Sequence, residues 1–411
     1  MVNVLVVTQR FYPPWSDGTA SYAKGLVNAV LETSKSRRDL EISVLTSSES
    51  PYLPEPNRRE MQKNLGIRNG NLNCFYSSEK RYQMNVWRLV RKLSESKDYD
   101  VTHILLPGFN PLWMRLAAKK RNFVLKHVFI YPFHSSFTAE KFAYSFLQNR
   151  SVSKLFNINL AFSSKILEQI YDTDGIAILP PSIDTDFYRP KPESDYSYQA
   201  LMGSPLKVGN ISEVLQKDFV LLYIGPLLPE RFNFRSVIGC LTKLRKEYNL
   251  NVGLVIVGRE LGNTSASYLE EIKNYTSKNN LSDCVFACLK NLSETEKVCL
   301  FNKMHVFIYP FHRKLRQFSI VFPPMALLES MSAGLCVVSG GLPYLSDLIK
   351  NNENGVLINE TINEIAFAGG VYNALMNKRK ISQNARSTIE KNFSIQYVSK
   401  LYSDFLSETG V

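Results

Sequence analysis

The stretch FPPMALLESMSAGLCVVSGGLP, running from Phe322 to Pro343, decides the fold class. A Pro-Pro turn opens it, a short apolar helix centred on Glu329 follows, and Ala333-Gly334 breaks that helix. Cys336-Val337-Val338 reads as a buried strand, and Gly340-Gly341 as a tight turn. A helix feeding a β-branched strand between glycine turns is the repeating unit of an α/β domain. A carboxylate on such a helix suits a nucleotide crevice, because ribose hydroxyls need an acceptor and phosphates need close backbone approach. The alternative reading is an ordinary helix–strand unit with a solvated Glu329.

The same alternation continues upstream of this stretch. Phe219 opens a strand that ends in the loop PLLPER, and Phe234 to Tyr248 is a helix. Strands at 251–258, 285–289 and 305–310 alternate with helices at 267–278 and 293–302, the last carrying a Ser293/Glu296 capping box. The first half repeats the pattern. Val2 to Thr8 is apolar nearly throughout, as expected of a strand covered on both faces. A loop through Pro13-Pro14 and Asp17-Gly18 leads, with Thr19 or Ser21 as cap, into a helix from Tyr22 to Leu31. Further strands are expected at 41–47, 72–76, 101–106, 123–131, 158–164 and 176–180, with basic helices at 78–96 and 111–120. Residues 189–217 turn rich in Pro, Ser and Tyr and mark the boundary. Two βα series across a linker predict an α/β protein of two facing, Rossmann-like, doubly wound domains.

Composition agrees. At 411 residues the chain is too long for one core, and 45% hydrophobic with 21% charged residues is ordinary for a globular protein. No run approaches 18 apolar residues, and the N-terminus MVNVLVVTQRF lacks a basic leader, so a cytoplasmic location is expected. Six cysteines without a CxxC pair read as reduced thiols rather than disulfides or zinc ligands. Residues 1–190 hold 25 Lys and Arg against 17 Asp and Glu, a net +8 of the total +12. A basic first half suits an anionic membrane surface, which would make the protein peripheral at the cytoplasmic face. Nucleic acid is not expected as a partner, because the basic residues lie in separate helices without a recognition module. His134, just past a strand C-terminus, stands where open α/β sheets bind ligands, although a lone histidine is more often structural.

In order along the chain, four segments resemble a known family. They are the N-terminal strand with its Pro-rich loop before Asp17-Gly18, ILPPSIDTDFYRP at the domain junction, IGPLLPER, and FPPMALLESMSAGLCVVSGGLP. Together they resemble a GT-B fold glycosyltransferase of the retaining family 4 group, over nearly the whole chain. The resemblance implies a first domain at 1–190 on the acceptor side, a linker at 191–217 and a nucleotide-sugar domain at 218–390. Residues 391–411 would form a C-terminal helix packing back on the first domain. It further implies a metal-independent, cofactor-free transfer of a hexosyl group from a nucleoside-diphosphate sugar to a saccharide or polyprenyl-linked glycan, with retention. By the same resemblance, Glu329 would hold the donor ribose and Arg231 the diphosphate, with Pro324 and Met325 beside it. Gly18 and Thr19 would approach the donor phosphate, and His134 the transferred sugar.

The sequence also departs from the family. Val321 stands where a first glutamate is usual, Phe322-Pro323-Pro324 where Gly-Phe-Gly is usual, and Pro226 where an arginine is usual. These losses leave open a second reading, a catalytically degenerate homologue that binds nucleotide or a partner. On the leading reading, Glu329→Ala should abolish transfer without unfolding the chain.

Overall fold

The computed structural model describes residues 1–9, 11, 15, 18–37, 39–47, 72–77, 82–106, 127–130, 134–136, 158–162, 177–191, 201, 204, 206–229, 231–260, 262–310, 318–320, 323–341, 343–359, 363–408 and 410–411. The expected helix at 111–120, and Val321 and Phe322, lie outside them. In chain order the first elements are β1 (Val2–Thr8), α1 (Gly18–Ser36), β2 (Leu40–Ser47), β3 (Leu72–Ser77), α2 (Tyr82–Ser94), β4 (Val101–Leu105), β5 (His127–Ile130), β6 (His134–Ser136), β7 (Ile158–Phe162) and β8 (Ala177–Ile178). Then come β9 (Lys207–Val208), α3 (Ile211–Val214), β10 (Phe219–Pro226), α4 (Phe234–Lys246), β11 (Val252–Arg259), α5 (Asn263–Lys278), β12 (Val285–Leu289), α6 (Glu294–Lys303) and β13 (Val306–Tyr309). The remainder are β14 (Phe318–Ile320), α7 (Met325–Ser332), β15 (Cys336–Gly340), α8 (Pro343–Ser346), β16 (Val356–Ile358), α9 (Glu364–Met376), α10 (Lys378–Asn392) and α11 (Ile395–Glu408).

Two compact units emerge, and the division differs from the expected one. The first comprises Met1–Ser182, Arg316–Pro323 and Phe393–Val411; the second comprises Ile183–Leu315 and Pro324–Asn392. Residues 183–190 go with the second unit because hydrogen bonds hold them there. Ser332 Oγ donates to the Tyr188 carbonyl at 2.7 Å, and Arg386 donates to the carbonyls of Ser332, Tyr188 and Thr185. The expected linker is also partly structured, since Val208 of β9 pairs with Ala287 of β12 and Ser204 Oγ donates to the Leu289 carbonyl.

The first unit carries a parallel sheet of order β3-β2-β1-β4-β5-β7-β8. Helix α1 starts at Gly18, not Tyr22, so Thr19 and Ser21 sit inside its first turn and neither caps it. Trp15 is the cause: its backbone takes a φ of 57°, its ring packs edge-on against Phe11, and its carbonyl accepts from Ser21 Oγ at 2.8 Å. His134 lies in the short strand β6, whose antiparallel partner is β14, with His134 opposite Ile320. The sequence places His134 just past the end of a strand; backbone pairing makes the segment a short strand of its own.

The last helix returns to this unit. Thr33 of α1 donates to the Ser399 carbonyl of α11 at 3.0 Å, and His103 Nε2 of β4 lies 2.8 Å from the Tyr402 hydroxyl, both groups buried. Burial holds the His103 imidazole neutral and brings its pKa down to about 3. Below pH 6.5 the unfolded chain therefore takes up a proton that the folded chain refuses, and stability falls as pH falls towards 3. The expected slope from this one group approaches about 1.4 kcal/mol per pH unit. Denaturant titrations of wild type and His103→Gln between pH 7 and 4 measure it, and equal slopes would refute the assignment.

The second unit carries the sheet β16-β15-β13-β10-β11-β12-β9, parallel except at β9. Strand β10 has β11 on one side and β13 on the other, so connections leave it in opposite directions. That makes the C-terminal ends of β10 and β13 the topological switch point. Helix α7 ends as its sequence predicts: Gly334 takes a φ of 81°, and the N–H groups of Gly334 and Leu335 donate to the carbonyls of Met331 and Ser330. This is a Schellman closure, which favours glycine at that position. Among the described residues, no helix is long and apolar enough to cross a membrane.

Candidate donor site at the switch point of the second unit

Strand β10 is a run of apolar residues because both its faces are covered, and it delivers Gly225-Pro226 to the switch point. The loop that follows is fixed from below. Phe232 is buried against the Tyr223 ring at 4.2 Å between centroids, and its carbonyl accepts from the Tyr268 hydroxyl at 2.6 Å. The Arg231 and Phe232 N–H groups both donate to the Leu228 carbonyl, closing a turn that places Arg231 at the sheet edge. There its guanidinium donates to the hydroxyl of Tyr309, the last residue of β13. Burial pushes the Tyr309 hydroxyl up to about 12, with the Arg231 cation pulling the other way. A protonated phenol and a guanidinium thus stand together at the end of β10 and β13. Both can donate to an oxyanion.

Glu329 lies in the middle of α7, and Pro324 and Met325 form its N-cap and first residue. Met325 is buried and Pro324 has no N–H, so only backbone N–H groups from Met325 onward can face a ligand there. Glu329 is not the solvated carboxylate of the alternative reading. It is 2% exposed, and both of its oxygens accept from Lys297 Nζ at 2.8 Å. Lys297 sits on α6 behind the Ser293/Glu296 capping box, which is present as expected. The Tyr188 ring roofs the pair, 5.6 Å from the Lys297 ammonium, while its hydroxyl donates to Glu294 at 3.2 Å. Burial, then the charge of Glu329, raises the Tyr188 hydroxyl well above its ordinary value.

The second unit therefore contains Arg231, Pro324, Met325 and Glu329, whereas Gly18, Thr19 and His134 belong to the first. A Cβ at Gly18 would meet nothing within 4 Å, so the fold itself imposes no glycine there. Among the described residues no three His, Cys, Asp or Glu side chains cluster as metal ligands would, and all six cysteines are free thiols. Lys297 escaped the sequence reading although a signal existed. It shares one face of α6 with Leu300 and Phe301, at i, i+3 and i+4, where a charge is out of place. Tyr309 and Tyr223 gave no comparable signal, because only the strand order brings them to one edge.

Residues 210–391 match the family model described as Glycosyl transferases group 1. No curated protein sequence matches the chain. Among solved structures, a glycosyltransferase from Rickettsia africae superposes with a TM-score of 0.71 at 13% identity, covering 99% of this chain and 98% of that one. The sucrose-phosphate synthase of Thermosynechococcus elongatus gives 0.68 at 12%, covering 99% of each. Anabaena Alr3699/HepE, solved in complex with UDP and glucose, gives 0.67 at 14%, covering 99% and 100%. Such identities speak for the fold. Residues 210–391 are thus similar to the glycosyl transferases group 1 family, and the chain as a whole has the fold of GT-B glycosyltransferases.

Proposed function

We propose that the chain transfers a hexosyl group from a nucleoside-diphosphate sugar to a saccharide or lipid-linked acceptor, with retention and without a metal. The observation that carries this is the Arg231 guanidinium bonded to Tyr309 at the switch point. A fixed cation there meets the charge that develops on a departing diphosphate. The bond from the anomeric carbon to the diphosphate breaks, the acceptor oxygen bonds to the same face, and the acceptor proton passes to the leaving oxygen. Glu329 is the ribose ligand in this reading, its carboxylate oriented by Lys297, which donates to both of its oxygens. The first free N–H groups of α7 and the open space at Gly18 suit phosphate oxygens, and His134 serves the transferred sugar. That the Anabaena neighbour was solved with UDP and glucose supports a nucleotide-sugar donor. The excess of cations in residues 1–190 supports an acceptor at an anionic membrane.

The second reading, a nucleotide-binding or partner subunit without turnover, is favoured by Pro226 and by the closed Lys297–Glu329 pair. Melting curves with ADP, GDP, UDP and their sugar conjugates test both, followed by mass spectrometry of products made from lipid-linked acceptors. One nucleoside diphosphate at a hundred times its Kd should stabilise the fold by about 2.7 kcal/mol. Stabilisation without product would select the second reading, and no stabilisation by any of them would sink the transfer reading and leave only a partner subunit.

A further inference from the structure

Strands β10 and β11 run in parallel register, and the last pair in that register is Pro226 opposite Arg259. Pro226, which ends β10, has no N–H to offer an anion, and its carbonyl accepts from the Tyr223 hydroxyl at 2.9 Å. The cation at this level comes from the neighbouring strand. Gly258, just before Arg259, makes the arrangement possible. A Cβ there would stand 2.8 Å from Leu227 Cβ and from Leu289 Cδ2, so any larger residue would lift the exit loop of β10 off the end of β11. With glycine, that loop lies directly on β11 and carries Arg231 to the same edge as Arg259. Both arginines are half-buried. The buried Tyr223 hydroxyl reports the two together, for against the effect of burial it feels the positive charge of Arg231 and of Arg259. At the next strand end Lys290 follows β12, and its ammonium pairs with Glu296 at 2.7 Å.

We propose that Arg259 is a second diphosphate ligand, sharing with Arg231 the phosphate oxygens of the donor. This rests on the reading of the donor as a nucleoside-diphosphate sugar. A diphosphate gains charge as it leaves, and one guanidinium compensates only one unit of it. Two forks from adjacent strand ends offer paired N–H donors to both phosphates. They also discriminate against a nucleoside monophosphate, which can occupy only one fork.

Calorimetric titration of the full chain with ADP, GDP and UDP, and with the matching monophosphates, provides the test. Wild type should prefer one diphosphate over its monophosphate. Arg259→Gln should lose about 10- to 100-fold in affinity for that diphosphate while binding the monophosphate within about 2-fold of wild type. Arg259→Lys, which keeps the charge and the stem, should lose about 10-fold and covers the case in which the glutamine variant fails to fold. An unchanged diphosphate preference in either folded variant would remove Arg259 from the site and leave the donor reading standing. If wild type binds no nucleoside diphosphate at all, the donor reading falls and the role of Arg259 falls with it.

Discussion

An Arg231→Met variant is expected to lose about 10²- to 10³-fold in kcat, the usual consequence of deleting one preorganised donor to a developing oxyanion. Methionine retains an unbranched apolar stem, so the turn from Leu228 to Phe232 keeps its packing. What disappears is the cation, together with the partner of the buried Tyr309 hydroxyl. Loss of that partner should cost about 1–3 kcal/mol of stability, a minor effect beside the kinetic one. Arg231→Lys keeps the charge but not the fork, and should fall between wild type and methionine. The diagnostic split is in the kinetics. If Arg231 acts on the transition state, kcat and kcat/KM fall together and KM for the donor changes little. A variant that turns over at the wild-type rate would place the diphosphate elsewhere.

The second large effect concerns Glu329 and corrects the expectation drawn from sequence. Glu329→Ala was expected to abolish transfer while leaving the fold intact. The structure makes the second half untenable, because alanine would leave the Lys297 ammonium buried with no counter-charge. Breaking a buried pair by removing one partner costs about 3–5 kcal/mol. In a domain of this size that lowers the melting temperature by about 10 °C or more. Inactivity of Glu329→Ala would then say nothing about ribose. Replacing both partners, Lys297→Met with Glu329→Leu, removes the stranded charge and should recover most of the lost stability. Calorimetry on this double variant separates the roles. A ribose ligand predicts that wild type prefers a ribonucleoside diphosphate to its 2′-deoxy analogue and that the double variant does not. A stable double variant that keeps the preference would end the assignment.

The contrast between these two residues shows what sequence can carry. Strand runs such as VNVLVVT and NVGLVIVG are legible because burial on both faces demands continuous apolar residues. The Ser293/Glu296 box and the Ala333-Gly334 stop are legible because each is a local contact within a few residues. Arg231 could be singled out by its loop, but its Tyr309 partner depends on β13 lying beside β10, which no local pattern encodes. The same holds for Lys297 and Glu329, thirty-two residues apart on separate helices. Arg259 faces Pro226 only through the strand register. Where the reading of local signals failed, as at the start of α1, a long-range contact had won: the buried Trp15 ring and its positive φ bring the chain into helix sooner than Thr19 or Ser21 would.

The return of α11 to the first unit has a consequence for the order in which the chain can fold during synthesis. Residues 393–411 supply Ser399 and Tyr402, the partners of Thr33 and His103. The amino-terminal unit therefore leaves the ribosome first yet completes its layers last, after the whole second unit has been made. At about 5–20 residues per second, roughly 200 intervening residues impose a delay of about 10–40 seconds. Throughout that interval the faces of α1 and β4 that α11 will cover stay open to solvent and to other chains. The basic charge of residues 1–190, read above as a feature of the finished protein, would also keep this exposed intermediate soluble by self-repulsion.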